Sequence, residues 1–334
     1  TTLGVQGALR RNEANTVRSF DQYLQAQWAV AARWSASAGV RHSRVDFRSR
    51  DRYIVPGNGD DSGDVSYSAT TPVLGLVFHV NDALNLYAAA GRGFETPTLN
   101  ELSYRAGGGT GLNFALQSAT SRQWELGAKA EIAPGWRANA AYFRARTANE
   151  IVVLSNTGGR STFQNAGATQ REGFEAALSG AWGKGWSTYV AATWLEAKYR
   201  NGFLVCSAAP CATPDTPVSA GNRIPGIPRA SLFAELAWEH RPWGLETALE
   251  FRHTGRIAVD DRNTDSAPAA STFALRVGLT QKLARWTVRE FLRIDNLTDR
   301  ATIGSVIVNE GNRRFFEPAP GRSWLAGVSA SYLF

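Results

Sequence analysis

The chain has 334 residues, of which 43% are hydrophobic, and a formal net charge of +7 at pH 7. Its mean hydropathy of -0.26 excludes a helical membrane protein, and no apolar run approaches the roughly 20 residues that a spanning helix needs. Scattered arginines carry the positive charge, with only four lysines and no basic run, which disfavours nucleic-acid binding. The length fits two soluble domains or one large barrel, and the aromatic content of 11% fits the girdles of a membrane barrel.

The first half of the chain reads as strands in which apolar and polar residues alternate with a period of two. Residues 2–11 are predicted to form the first strand, and residues 20–28 form the next. A long alternating run follows over residues 34–51, and after a polar loop the chain returns over residues 67–80. It turns tightly and climbs again over residues 84–90. Neighbouring strands joined in this way form an antiparallel sheet.

Strict alternation over residues 123–132 indicates that one face of the sheet meets water. The apolar face runs from Trp124 to Ile132, whereas the opposite face carries charged side chains such as Glu125 and Lys129. Several charged groups on one strand are prohibitive in lipid, so the second face must be wet. The sequence therefore predicts a wall between lipid and a water-filled interior.

Two local features interrupt the alternation. Arg144 and Arg146 break the apolar phase of the following strand, which indicates a bulge or the end of the membrane-embedded part. Asn165 and Gly167 are interpreted as a kink in a later strand.

The final strand, residues 324–334, carries aromatic residues at both ends of its apolar face. Alone, this pattern also fits an edge strand of a soluble sandwich. The connections favour a barrel: short turns near residues 32, 82, 134, 184, 242 and 285 alternate with polar loops near 51–65, 94–119, 154–161, 200–228, 259–270 and 307–321. The sequence thus predicts an all-β fold, a transmembrane antiparallel β-barrel of about fourteen legible strands with long loops outside and short turns in the periplasm.

Cys206 and Cys211 are the only cysteines, and they lie in a proline-rich stretch. With no histidine nearby they lack zinc spacing, so we predict a small disulfide-closed loop in an oxidising compartment. The chain has no methionine. It is therefore expected to be a processed or excised segment, and the missing targeting sequence says nothing about its destination.

Three stretches resemble the C-terminal barrel of TonB-dependent outer-membrane receptors: GRGFETPTLNELSYR (91–105), NEIVVLSNTGGRSTFQNAGATQREGFE (149–175) and SVIVNEGNRRFFEPAPGRSWLAGVSASYLF (305–334). Between them, RIDNLTDR (293–300) is similar to the family's penultimate-strand motif. The motifs keep their order over essentially the whole chain. GFETPT, the cysteine pair before GNRIPG, and NEGNRRFFEPAPGR most resemble the receptors for pyrroloquinoline quinone, with a ferric-siderophore receptor as the alternative.

The resemblance implies that the chain belongs to a larger molecule. Such receptors have a barrel of about 22 strands filled by a plug that carries the TonB-contacting segment. Residues 1–334 are therefore expected to be the C-terminal barrel portion of a monomer in a Gram-negative outer membrane, with the plug absent. The implied partners are the TonB complex through that plug, outer-membrane lipid and lipopolysaccharide, and a small anionic ligand or a ferric siderophore.

Two further expectations concern the segment itself. A passive channel of about fourteen strands, complete in itself, is the alternative functional hypothesis. If the chain is instead part of a larger barrel, the isolated segment is expected to aggregate or stay open, because an open sheet leaves two unpaired edges in lipid.

The sequence predicts neither catalysis nor a metal site. The histidines are dispersed without metal spacing: His42, His79, His240 and His253. No nucleophile elbow or paired carboxylates stand out. Residues 107–111 are glycine-rich but lack the Lys-Ser/Thr of a phosphate loop, so they are interpreted as a flexible loop. The chain is therefore expected to be a transporter without a cofactor, not an enzyme.

Candidate ligand contacts lie in the long outer loops. Guanidinium groups there would bind a polycarboxylate or an anionic siderophore. They belong to Arg105, Arg160, Arg256, Arg262, Arg313 and Arg314. Three aromatic side chains would stack on a planar ligand: Tyr104, Phe315 and Phe316. The alternatives are lipopolysaccharide contact or plain solvation for each arginine, and packing within the loops or the outer girdle for each aromatic residue.

Overall fold

A computed structural model describes residues 4–9, 11–157, 160–206 and 213–334. The strands in chain order are β1 (Glu13–Ala31), β2 (Trp34–Asp51), β3 (Gly63–Asn81), β4 (Leu84–Glu95), β5 (Ala119–Ala133), β6 (Trp136–Ala148), β7 (Ile151–Thr157), β8 (Arg160–Asn165), β9 (Thr169–Trp182), β10 (Trp186–Tyr199), β11 (Phe203–Val205), β12 (Thr216–Val218), β13 (Ala230–His240), β14 (Leu245–Thr254), β15 (Ile257–Ala258), β16 (Ser266–Ala267), β17 (Ala270–Leu283), β18 (Trp286–Asp295), β19 (Ile303–Val306), β20 (Phe316–Pro318) and β21 (Ser323–Tyr332). A one-turn helix, α1 (Leu99–Leu102), and two 3₁₀ turns, Ala106–Gly108 and Arg241–Trp243, complete the elements.

Thirteen of these strands form one antiparallel sheet in the order β1-β2-β3-β4-β5-β6-β9-β10-β13-β14-β17-β18-β21. The other strands pair as four hairpins within the long connections: β7–β8, β11–β12, β15–β16 and β19–β20. In the described part of the chain the sheet is open, with β1 and β21 at its two edges. No described helix has the length and apolarity to cross a membrane.

The six predicted short turns and the long connections between them are confirmed. Two of these turns require glycine, because Gly185 and Gly244 have φ angles of 87° and 63°. A Cβ atom at Gly185 would lie 2.0 Å from the Glu239 carbonyl oxygen, and one at Gly244 would lie 2.0 Å from that of Thr280. The neighbouring strand therefore passes too close to these turns for any side chain.

Aromatic side chains form two rows on the apolar face of the sheet. The row near the short turns contains Trp182, Trp186, Trp238, Trp286 and Tyr332. The row towards the long loops, which we call the upper aromatic row, contains Trp124, Tyr142, Phe174, Trp194 and Trp324. Trp186 and Trp194 belong to the same strand, and the distance between such positions is about 26 Å along a strand. The two rows therefore have the separation of the girdles that flank the apolar band of a membrane barrel.

The opposite face carries ion pairs, as the sequence predicts for a wet interior. Glu250 is almost fully buried and accepts hydrogen bonds from both terminal nitrogens of Arg293, at 2.7 and 2.9 Å. Arg252 and Arg276 lie within 4 Å of the same carboxylate. This bidentate, multiply paired geometry compensates the desolvation of a charged group within a sheet wall.

Two apolar clusters lie beneath the long loops. The first cluster consists of Phe47, Tyr67, Leu102, Leu112 and Leu116. The second consists of Val152, Ala166, Ala197, Tyr199, Val205, Val218 and Ile224. Each cluster joins strand residues to loop residues, so hydrophobic burial folds the loops back onto the sheet. The two clusters hold the long loops in place above the sheet.

The N-terminal strand prediction is wrong. Residues 4–9 form no strand, and β1 begins at Glu13. Gly4 has a φ of 81°, which lies outside the range of a β-strand, and residues 4–9 pair with no described strand. In the described ranges the sheet consequently has 13 strands, where the sequence predicts about fourteen. Residues 1–3 and 10 lie outside the described part of the chain.

The two predicted irregularities are also corrected. β6 keeps its register with β5 and β9 past Arg144 and Arg146, so there is no bulge there. Arg144 lies directly opposite Trp124 of the upper aromatic row, and Arg146 lies two residues further towards the long loops. That position agrees with the other interpretation, the end of the membrane-embedded part. Asn165 and Gly167 do not kink a sheet strand: they connect the β7–β8 hairpin to β9, where the Asn165 amide donates to the carbonyl oxygens of Gln117 and Asn149.

Candidate functional site

A first cleft, with a volume of about 620 Å³, opens among the long loops and contains Tyr104, Arg105 and Arg160. α1 positions the first two of these residues. Thr98 and Glu101 form a reciprocal capping box at the start of that helix, and the chain leaves it directly into Tyr104. Arg160 begins β8 on the opposite wall, and its guanidinium lies 5.4 Å from the centroid of the Tyr104 ring.

The floor of the first cleft is apolar and tightly packed. Leu102 and Leu112 are almost fully buried against Phe47 and Tyr67 of the sheet. The Tyr67 hydroxyl donates a hydrogen bond of 2.7 Å to the Leu116 carbonyl oxygen, which satisfies the one polar group in this cluster. The loop that carries Tyr104 and Arg105 is therefore held by burial of leucine side chains.

The first cleft balances three arginines against three carboxylates, but the groups are not equivalent. Arg11 is paired with Glu13 and donates to the Ser103 carbonyl oxygen at 2.8 Å. Arg105 donates through Nε to the Leu112 carbonyl oxygen at 2.9 Å. Among the described residues, neither Arg105 nor Arg160 has a carboxylate partner. These two guanidinium groups are therefore available to an anionic ligand.

A second cleft, of about 470 Å³, contains Arg262, Arg313 and Phe315. It shares Ser155 with the first cleft, so the two lie on either side of the β7–β8 hairpin. Carboxylates predominate in its lining: Asp260, Asp261, Asp265 and Glu310. An excess of carboxylates repels an anionic ligand, which makes this cleft the poorer candidate for the predicted chemistry.

Tyr199, Asn222, Asp261 and Asn309 form a polar cluster beside the second cleft, which we call the loop anchor. The Tyr199 hydroxyl donates to Asp261 Oδ1 at 2.6 Å, and the Asn309 amide donates to Asp261 Oδ2 at 2.9 Å. The same Asn309 amide donates to the Val153 carbonyl oxygen at 2.7 Å, while the Asn222 amide donates to the Asp261 carbonyl oxygen at 2.9 Å. The Asp261 carboxylate thus joins the end of β10 to the loop of Asn309, and the amides of Asn222 and Asn309 extend the cluster to a third connection and to the β7–β8 hairpin.

Burial dominates the electrostatics of the loop anchor. Asp261 is 1% exposed, and burial raises the pKa of its carboxyl above the ordinary value. The hydrogen bonds from Tyr199 and Asn309 oppose that shift. The ionised carboxylate therefore depends on its two side-chain donors.

The family model described as TonB dependent receptor-like, beta-barrel matches residues 1–297. This chain belongs to the TonB-dependent receptor family. Membership confirms the all-β barrel fold and the outer-membrane localisation of the receptor. The family comprises receptors for transport rather than enzymes. The long loops and both clefts consequently lie at the extracellular end of the sheet.

Curated relatives of the receptor are siderophore and metal-complex receptors. The probable TonB-dependent siderophore receptor PiuA of Acinetobacter baumannii is 21% identical over 95% of this chain and 41% of its own length. The metal-pseudopaline receptor CntO of Pseudomonas aeruginosa is 23% identical over 91% of this chain and 38% of its own. The chain thus spans about two fifths of the length of these relatives.

Solved structures show the same fold. The crystal structure of PiuA from Acinetobacter baumannii superposes with a TM-score of 0.75 at 18% identity, covering 96% of this chain and 44% of PiuA. The ferric yersiniabactin uptake receptor FyuA from Yersinia pestis superposes with a TM-score of 0.70 at 19% identity, covering 95% of this chain and 46% of FyuA. At these identities the likeness concerns the fold alone.

The remaining predicted site residues lie apart from the two clefts. Arg256 and Arg314 are exposed and contribute to the lining of neither cleft. Phe316 is partly exposed on β20, whereas Phe315 is 8% exposed and packs edge-on against it at 6.3 Å. Cys206 follows β11 at the rim of the second cleft. Its predicted partner Cys211 lies outside the described residues, so the disulfide stays a prediction.

Sequence reasoning missed the loop anchor. Tyr199 and Asp261 are 62 residues apart, and Asp261 and Asn309 are 48 apart, so no local spacing joins them. The sequence contains one signal of this cluster, because DDRNTD (260–265) begins with two acidic residues. Of this loop, only Arg262 is among the predicted ligand contacts. Among the described residues, no group of three or more His, Cys, Asp or Glu side chains has the arrangement of a metal site.

Proposed function

We propose that the receptor takes up a small anionic metal chelate of the ferric-siderophore class, and that the first cleft contacts this ligand at the cell surface. The observation that carries the proposal is the juxtaposition of Arg105, Arg160 and Tyr104 at the extracellular end of the sheet. The names of the curated relatives support the ligand class. They also support the receptor over a passive channel.

The chemistry of the first cleft suits a chelate with carboxylate or catecholate oxygens. Guanidinium groups present paired donors to such oxygens, and an aromatic ring offers a stacking face for the planar part of a chelator. Pyrroloquinoline quinone has the same features, since it is planar and carries several carboxylates. It remains the alternative ligand, supported by the motif resemblance described above and by none of the relatives named here.

We also propose that residues 1–334 act as the barrel portion of a longer receptor. Each backbone N–H or C=O group that is left unpaired in lipid costs several kcal/mol of free energy. The open edges at β1 and β21 therefore need further strands to pair with. In such a receptor the TonB complex would act through a plug inside the barrel. The ligand would bind without the making or breaking of a covalent bond, and would pass when the plug moves.

The test is a tryptophan-fluorescence titration of the full-length receptor in detergent, with a ferric siderophore and pyrroloquinoline quinone run side by side. Saturable quenching by the ferric complex alone is the expected result. Saturation by the quinone alone would replace the proposed ligand class, and saturation by neither would contradict the proposal. Replacing Arg105 and Arg160 together by alanine is expected to raise the Kd by roughly 100-fold, because two charge-assisted contacts are lost.

The matched control removes Arg256 and Arg314, two exposed loop arginines outside both clefts. Their replacement by alanine removes the same net charge from the same end of the sheet. The Kd is expected to change by less than about twofold, since exposed charges interact weakly through water. An equal loss in both double variants would show that general charge, not the first cleft, attracts the ligand.

A further inference from the structure

β18 carries one charged side chain on the lipid-facing side of the sheet. Successive side chains of a strand point to opposite faces, so Glu290 shares a face with Trp286 of the row near the short turns. Arg289 and Arg293 point to the other face, where Arg293 binds Glu250 in the wet interior. The Glu290 carboxyl therefore faces the acyl chains of the membrane and not the interior of the barrel.

Register places Glu290 in the middle of the membrane band. It lies four residues from Trp286, and the residue opposite it on β21, Val328, lies four residues from both Tyr332 and Trp324. Four residues correspond to about 13 Å along a strand, which is half the distance of about 26 Å between the two aromatic rows. The carboxyl is therefore at the depth where the bilayer has no water to bind it.

The outward positions at this depth on other strands carry no charge. β9, β10 and β21 hold residues of both aromatic rows, and between the rows their outward side chains are alanine, leucine, valine, glycine and one threonine, Thr188. On these strands and on β18, all within the described part of the chain, Glu290 is the only charged group that faces outwards between the rows. A charged group in the acyl layer destabilises a barrel unless it is paired.

The Glu290 carboxyl has no partner among the described residues. No hydrogen bond or ion pair joins it to a described side chain or backbone group. Its neighbours across the strands, Leu279 on β17 and Val328 on β21, are apolar. Gln281 shares the outward face but lies opposite Val288, closer to the short turns. A carboxyl that is unpaired in its own wall and surrounded by lipid indicates a contact with a second molecule in the membrane.

We propose that Glu290 lies at the centre of an interface between two copies of the receptor, related by a twofold axis along the membrane normal. Two copies have the same orientation in the membrane, so residues near such an axis meet their own equivalents at the same depth. A carboxyl group that carries a proton is both a donor and an acceptor, so it is complementary to a second carboxyl. Two facing Glu290 side chains therefore satisfy each other with two hydrogen bonds. This assembly differs from the monomer that the family resemblance implies.

The wall beside Glu290 suits the close approach of two barrels. The outward side chains of β21 at this depth are small: Ala326, Val328 and Ala330. In a membrane, packing and hydrogen bonds drive association, and small side chains allow two backbones to approach closely. The interface lies on the lipid-facing wall, apart from the two clefts, so both copies keep their extracellular loops free. The inference is therefore independent of the ligand that the receptor carries.

The first experiment is oxidative crosslinking of the full-length receptor, purified and placed in lipid vesicles, with Val328→Cys beside Glu290. A disulfide-linked dimer is the expected product. The matched control is Leu178→Cys, which faces outwards midway between Phe174 and Trp182 of β9 and is expected to stay monomeric. The unaltered receptor accounts for any linkage through its own cysteines. A monomeric Val328→Cys receptor, equal crosslinking of both variants, or a product in outer membranes that joins Val328→Cys to a different protein would overturn the proposal.

The second experiment measures self-association in vesicles by energy transfer between receptors that carry donor and acceptor dyes. Glu290→Leu is expected to weaken self-association by roughly tenfold, at roughly threefold for each hydrogen bond lost. Glu290→Gln is expected to keep most of it, because a carboxamide is also both a donor and an acceptor. Unchanged association of Glu290→Leu would show that the carboxyl does not join the two copies. Heat-modifiable gel mobility verifies the folding of each variant, and if Glu290→Leu fails to fold, the crosslinking still decides the outcome.

Discussion

The two clefts lie on either side of the β7–β8 hairpin, and they differ in what holds their walls. Beneath the first cleft, Leu102 and Leu112 are buried among aromatic rings, and the guanidinium groups of Arg105 and Arg160 lack carboxylate partners among the described residues. Beside the second cleft, the loop anchor holds the walls through the buried Asp261 carboxylate. An apolar floor leaves the charged side chains of a loop available to a ligand, whereas a polar anchor occupies them.

This difference explains why the second cleft is rich in carboxylates although its described residues do not have the arrangement of a metal site. Asp261 is turned inward to Tyr199 and Asn309. Asp260 accepts hydrogen bonds from the backbone and hydroxyl of Thr264, so it stabilises the turn of its own loop. These carboxylates serve the architecture of the loops. We therefore propose that the first cleft contacts the ligand and that the carboxylates of the second position the loops.

The largest expected effect comes from the apolar floor. Replacing the fully buried Leu102 by alanine should destabilise the loop of residues 96–118 by about 2–5 kcal/mol, because it removes apolar burial and leaves a cavity. Amide hydrogen exchange of that loop measures the change. Leu204→Ala is the matched control, since Leu204 is half exposed on a different loop. Unchanged exchange near Leu102 would contradict the role of the floor.

A smaller effect is expected at the loop anchor. Replacing Tyr199 by phenylalanine removes one hydrogen bond to a buried carboxylate and should cost about 1.5–3 kcal/mol at neutral pH. Because burial raises the pKa of Asp261, the folded loops bind its proton more tightly than the unfolded chain does. The stability contributed by that proton is present at acid pH and is lost as the pH rises through the raised pKa.

The cost of Tyr199→Phe should therefore shrink as the pH falls through the pKa of Asp261 towards 3.8, the ordinary value, because a protonated carboxyl needs the donor less. Protection factors of the loop amides, corrected for intrinsic exchange at each pH, measure this dependence. The control is Tyr23→Phe, an exposed tyrosine on β1. A cost that stays constant with pH would show that packing of the ring, not the carboxylate, positions these loops.

The contrast between strands and clefts also defines what the sequence could predict. Alternation is a local signal, so it predicts one strand over residues 34–51, and these are the bounds of β2. Turn residues near 134 and 184 are local as well. In contrast, Arg105 and Arg160 converge on one cleft through the fold of two separate loops. The individual arginines were foreseeable as loop cations, but their grouping and the partners of Asp261 depend on tertiary packing.

The smallest expected effect is a change in ligand affinity when the arginines of the second cleft are removed. Replacing Arg262 and Arg313 together by alanine should change the Kd for the ferric complex by less than about threefold, because the four carboxylates in that cleft already oppose an anionic ligand. The same tryptophan titration measures it beside the Arg105 and Arg160 double variant. The two pairs match in residue type and in their position on extracellular loops, so only their surroundings differ. A loss as large as that of the first pair would mean that the ligand bridges both clefts across the β7–β8 hairpin, and the loop anchor would then position part of the binding surface.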